Sequence, residues 1–195
     1  MAGHGLGYTL AMTRDEAWQL VMEHTPSDRL RRHMLAVEAC LRWYAAQRGA
    51  DEDQWGVAGL LHDFDYELHP NAHPLWGLKL LEAKGTDPAI RQAIAAHDQE
   101  KTGVPPTSDL DRHLVACDEL SGLVAACVYV RPDRSIHGLE VKSVLKKLKT
   151  PSFAAGVDRK AVHASAALIG LDLDTHIGHV ITAMRSEAES LGLTG

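Results

Sequence analysis

Helix signals crowd this chain, while strand signals are nearly absent: no alternating β-branched run bounded by hairpin turns occurs along it. Thr13 followed by Glu16 reads as a capping box opening a helix to about His24. Pro26-Ser27 breaks that helix, and Ser27 or Asp28 caps a second. The second helix carries Leu30, Met34, Val37, Leu41 and Tyr44 at steps of four and three and stops at Gly49. Asp51 to Asp53 open a third, with Trp55, Gly59 and His62 on one face. After a polar loop over Asp65 to Ala72, a fourth helix is expected from about His73 to Lys84, ended by Gly85. Asp87-Pro88 starts a fifth, with proline in a first-turn position where its missing N–H costs little, and it closes at His97. A loop over Thr102 to Ser108 leads into a long apolar helix from about Leu110 to Val130, which Arg131-Pro132 ends. Shorter helices are expected near Glu140 to Leu148 and Arg159 to Ile169, and a last one from about Leu173 to Leu191.

This pattern predicts an all-α, single-domain helical bundle. Residues 1–12 are expected to be a flexible N-terminal segment and 13–195 the domain, with its core motifs in 33–118 and C-terminal helices in 131–195. At 195 residues the chain can bury a core without staples, and 45% hydrophobic against 24% charged residues excludes a disordered class. A net charge of −6 argues against dedicated nucleic-acid binding, which needs an excess of Lys and Arg to neutralise phosphates. No apolar run approaches the ~20 residues of a membrane span, and the Gly-rich start lacks the order of a signal peptide, so a soluble cytoplasmic protein is expected. Cys40, Cys117 and Cys127 form no CxxC pair and read as buried free thiols in a reducing compartment.

The unusual count is histidine, at 12. On the expected helices His33 shares a face with Leu30 and Val37. His62-Asp63 closes helix three, and His73 opens helix four, with Gly77 one turn on leaving room beside it. His97 ends helix five in line with Ile90 and Ile94, and Asp118 sits midway along the long apolar helix. Each alone has a structural explanation. Together six candidate ligands fall on five helices, and burying Asp63 and Asp118 without a cation would be costly. Four imidazoles and two carboxylates with no thiolate suit Fe, Mn, Co or Zn, and through the carboxylates Mg.

The order His33, His62-Asp63, Asp118 resembles the HD-domain superfamily of metal-dependent phosphohydrolases, of the HDIG type. The segments HPLWGLKLL, beginning at His73, and AIAAHD, containing His97, look like the extra histidine motifs of its binuclear members. The steps His33–His62, Asp63–His73, His73–His97 and His97–Asp118 are 29, 10, 24 and 21 residues. The core resemblance covers roughly residues 14 to 130. The tail VKSVLKKLKTPSFAAGVDR, with LLHDFDYE and CDELSGL, is similar to an uncharacterised bacterial group of predicted HD hydrolases.

The resemblance implies an HD-type bundle in which His33, His62, Asp63 and Asp118 bind one divalent metal. Asp63 would bridge to a second ion held also by His73 and His97. The ions would be Fe, Mn or Mg, with Co or Zn as options, and would activate a water against phosphorus. The implied substrate is a small phosphorylated metabolite or nucleotide. Asp63, Asp98 and Lys101 are the candidate catalytic residues, Asp98 for orienting an imidazole or the water and Lys101 for meeting phosphate. Two alternatives share these helices: a mixed-valent di-iron oxygenase, and a nucleotide-binding regulatory module with little turnover.

One departure stands out. Many HD hydrolases carry Lys three residues after the motif aspartate, where this chain has Tyr66. Asp65 and Glu67 are therefore expected to make the pocket more acidic. The missing cation is sought in Lys101, in Arg29, Arg31 and Arg32 near His33, or in the cluster Lys142, Lys146, Lys147 and Lys149. His4, His24, His69, His113, His137, His163, His176 and His179 read as structural or surface residues, His69 lying in the loop beside the expected site.

Overall fold

The fold is that of a computed structural model, which describes residues 12–195. Ten helices account for its regular structure: α1 (Arg14–His24), α2 (Asp28–Arg48), α3 (Glu52–Leu61), α4 (Leu75–Ala83), α5 (Pro88–His97), α6 (Gln99–Thr102), α7 (Asp109–Tyr129), α8 (Val141–Leu148), α9 (Arg159–Leu168) and α10 (Leu173–Ser186). Among the described residues the only β pairing is an isolated antiparallel bridge between Ser135 and Thr194. The chain is all-α, as its patterning predicts.

The caps explain the boundaries. Thr13 and Glu16 form both halves of a capping box on α1, and Ser108 with Asp111 does the same for α7. Ser27 accepts from the Leu30 N–H at the start of α2, and Gly49 ends that helix at φ 63°, a left-handed conformation that glycine adopts without strain. Asp87 accepts from Ala89 N–H ahead of Pro88 in the first turn of α5.

Helices α2 and α7, each of 21 residues, form the centre of the bundle. Met34, Val37, Leu41, Leu114, Cys117, Leu120 and Val124 are fully buried within one continuous apolar cluster running from Ala17 to Leu193. Helix α3 lies against α2 at Gly59, where a Cβ would stand 2.9 Å from the Glu38 backbone nitrogen. That close approach brings the C-terminal end of α3 beside the first turns of α2. Helix α5 packs on α3 and α7, and α10 covers α2, α7, α8 and α9.

Three expectations need correction, and one helical turn was not anticipated. The fourth helix starts at Leu75, so His73 precedes it in a hydrogen-bonded turn in which His73 N–H donates to His69 O at 2.8 Å. A helical turn, α6, follows α5 directly, because Asp98 caps it by accepting from Lys101 N–H. The last helix ends at Ser186, five residues early, and turns carry the chain to Leu193. Asp65 to Ala72 is no simple polar loop, since Asp65 is 1% exposed. The expected flexible segment 1–12 lies outside the described residues except for Met12, which packs against the core. All three cysteines are free and buried.

Candidate metal centre

The six candidate ligands come from five places along the chain. His33 lies in the second turn of α2, His62 and Asp63 follow α3, His73 precedes α4, His97 ends α5 and Asp118 sits midway along α7. The bundle brings them together in two groups, His33–His62–Asp118 and Asp63–His73–His97, each able to hold a metal ion.

In the first group, His33 Nε2 lies 3.2 Å from His62 Nε2 and 3.0 Å from Asp118 Oδ1, and His62 Nε2 lies 3.5 Å from Asp118 Oδ1. In the second, His73 Nε2 lies 3.3 Å from His97 Nε2 and 3.3 Å from Asp63 Oδ1, and His97 Nε2 lies 3.5 Å from that same oxygen. Asp63 joins the groups. Its Oδ2 is 3.6 Å from His62 Nε2 and 3.9 Å from His33 Nε2.

These separations fit divalent ions. Metal–ligand bonds of about 2.1 Å set neighbouring donor atoms about 3.0 Å apart in octahedral and about 3.4 Å apart in tetrahedral coordination. The tautomers fit as well. His62 Nδ1–H donates to Gly59 O at 2.8 Å and His97 Nδ1–H to Ile94 O at 2.5 Å, while His73 Nδ1–H donates to Asp65 Oδ1 at 2.7 Å. Each of these bonds turns an Nε2 lone pair toward the centre, as metal-binding histidines require. Two such lone pairs facing at 3.3 Å, with carboxylates beside them, repel one another unless a cation or proton lies between.

The electrostatics agree. Burial opposes a charge on His62, yet Asp63 and Asp118 prevail and push its imidazole up to about 9. Burial likewise opposes charge on Asp63 and Asp118, but His62 and the other imidazoles hold both carboxyls well below the usual range. The centre thus retains its negative charge and draws positive charge to it.

A cleft of about 370 Å³ opens over these atoms, also lined by Tyr66, Asp98, Lys101 and Glu119. Lys101 Nζ pairs with Asp98 Oδ2 at 2.8 Å, and burial of Asp98 is outweighed by this partner, which lowers its carboxyl. Tyr66, 48% exposed, stands edge-on to His73 and brings no cation to the cleft. Glu119 is the residue that sequence reasoning missed. Burial and then the adjacent Asp118 carboxylate push it up. Its signal was two successive acids in the part of α7 after His113, which carries no other charged residue.

Asp65 and Glu67 do not acidify the cleft. Asp65 turns away from it, accepting from His73 Nδ1 and from Gly77 N–H at 2.7 Å, and occupies the space that glycine at 77 leaves. Glu67 accepts from Ser27 N–H. Arg31 is engaged with Thr25 O, and Arg29 and Arg32 line an adjoining cavity. None of Lys142, Lys146, Lys147 and Lys149 lines the cleft; Lys142 pairs with Glu140, and Lys147 sits over Phe153. His69 stacks on Trp76 with ring centroids 3.8 Å apart, and so is structural.

Residues 30–123 match the HD domain family. Ribonuclease Y from Oleidesulfovibrio alaskensis is 34% identical over 108 residues, covering 53% of this chain and 20% of that protein. The chain therefore spans about a fifth of the length of this curated relative. No solved structure matches.

Proposed function

We propose, from the HD domain at residues 30–123 as premise, that this protein hydrolyses a phosphate ester of a small metabolite or nucleotide at a centre holding two divalent ions. HD domains are typically metal-dependent hydrolases. The observation that carries the two-ion reading is Asp63, whose Oδ1 faces His73 and His97 while its Oδ2 faces His62 and His33. His33, His62, Asp118 and Asp63 would hold one ion, and His73, His97 and Asp63 the other.

Bound divalent ions supply Lewis-acid polarisation of phosphoryl oxygens and make water acidic enough to ionise near neutral pH. The chain's own groups do the rest. Gly59 O, Asp65 and Ile94 O fix three imidazoles in the tautomer that leaves Nε2 free. Lys101, held by Asp98, presents a cation in the cleft to a substrate phosphate. The ribonuclease name of the relative also denotes phosphate-ester cleavage. A small substrate is favoured here by the net charge of −6 and by a cleft of about 370 Å³.

The test is phosphate release by protein loaded with Mn(II), Fe(II) or Mg(II), against phosphomonoesters, diesters and dinucleoside polyphosphates, with metal counted per chain. Two ions per chain and metal-dependent release are expected. No release from any ester overturns the reading, and two irons with oxygen consumption would replace it by oxygenase chemistry.

A further inference from the structure

We infer that the cavity adjoining the metal cleft is a subsite for an apolar leaving group, so that the substrate is the phosphate ester of a largely apolar alcohol. This rests on the phosphohydrolase reading and narrows it. The cavity is about 460 Å³ and is walled by Leu30, Ala125, Val157, Met184 and Leu191, from α2, α7, α10 and the turns that follow α8 and α10. It is not a separate feature of the surface, because His33 and Gly122 line both it and the metal cleft. A Cβ on Gly122 would meet nothing within 4 Å, so the junction between the two spaces is open on that face of α7.

The two halves differ in chemistry. The metal cleft carries Asp63, Asp98, Asp118 and Glu119, whereas no carboxylate lines the adjoining cavity. Its charged lining consists of Arg29 and Arg32, and among the described residues neither arginine forms an ion pair. The two unpaired arginines attract an anionic ester on this side of the centre. Its phosphate reaches the ligand histidines at His33, and the remainder of the molecule lies against the apolar wall. A sugar or polyol in that position would bury hydroxyl groups with few partners, which selects against it.

Calorimetric titration of the Mn(II)-loaded full chain with methyl-, propyl- and hexylphosphonate tests this. Methylphosphonate reads the anion site alone, and affinity is expected to rise about fourfold per added methylene. Gly122→Leu, which adds bulk at the open junction in a residue favourable to helix, should flatten that gain, and Ala125→Phe should do so one turn further along the same face of α7. Circular dichroism and metal content check that both variants fold. Methylphosphonate binding without a gain from chain length overturns the subsite and leaves the phosphohydrolase reading intact. An unaltered gain in both variants overturns the location, and no binding of any member overturns subsite and reading together.

Discussion

Asp65 holds His73 from behind: its Oδ1 lies 2.7 Å from His73 Nδ1, and its Oδ2 takes the backbone N–H of Gly77 at the same distance. The carboxylate fixes both the tautomer and the ring plane of His73 without reaching the cleft itself. Asp65→Ala is expected to weaken metal binding at the His73–His97 position by about 10–100-fold. It also strands a buried N–H at Gly77, so stability should fall by about 1–3 kcal/mol. Co(II) titration and urea unfolding of the same sample read the two effects separately.

Replacing Asp63 removes an oxygen from each half of the centre. Asp63→Ala should lose both ions and all phosphate release, whereas His33→Ala should lose mainly one ion. Metal counted per chain after gel filtration distinguishes them. Full stoichiometry in Asp63→Ala would contradict the bridging role.

His176 offers a pH prediction remote from the centre. Its Nε2–H donates to Ala116 O at 2.9 Å and its Nδ1 accepts from the Tyr44 hydroxyl at 2.7 Å, so the ring is neutral. Burial pushes it down to about 4. The unfolded chain, whose histidines titrate near 6.5, therefore binds the proton more readily than the fold does. Stability from this group is complete above about pH 6.5 and is lost as pH falls toward 4, by about 3 kcal/mol in all. Urea midpoints between pH 7.5 and 4 should fall less steeply in His176→Gln.

Gly59→Ala should destabilise the fold by about 1–3 kcal/mol, because the added methyl meets α2 backbone that cannot yield as a side chain would. Since α3 delivers His62 to the centre, metal affinity should fall with the melting temperature. An unchanged melting temperature would mean that the two helices separate at little cost.

Lys101→Ala should leave metal content intact and raise KM for a phosphate ester about three- to tenfold, a modest effect because the side chain is 44% exposed and its charge screened. Steady-state kinetics at two ionic strengths would show the difference shrinking as salt rises.

Most of the fold was legible because its signals are local. Capping boxes, the proline of α5 and the glycine after α2 act over three or four residues, and the structure follows them closely. The HD and histidine motifs were legible as residue types at recognisable steps. What the chain did not disclose was direction. Asp65 and Glu67 stand beside Asp63 in sequence, and only the turn between α3 and α4 sends one behind His73 and the other to Ser27. Glu119 escaped for the converse reason: one step along a helix rotates a side chain about 100°, and its place on the cleft depends on how α7 lies against its neighbours. The partition of Asp63 between two histidine pairs is likewise tertiary, since it needs α2, α5 and α7 in place.

His33 and Asp118 are 85 residues apart and touch only across the centre. An ion shared between them is a cross-link as well as a reagent. It would tie α2 to α7 and, through Asp63, both to α5, and it binds the fold in preference to the unfolded chain. At a hundred times its dissociation constant such an ion adds about 2.7 kcal/mol to stability. The melting temperature of this protein should then rise with free metal, so that chelation loosens the bundle as it silences the chemistry. In a cell, the amount of folded chain would follow the supply of metal.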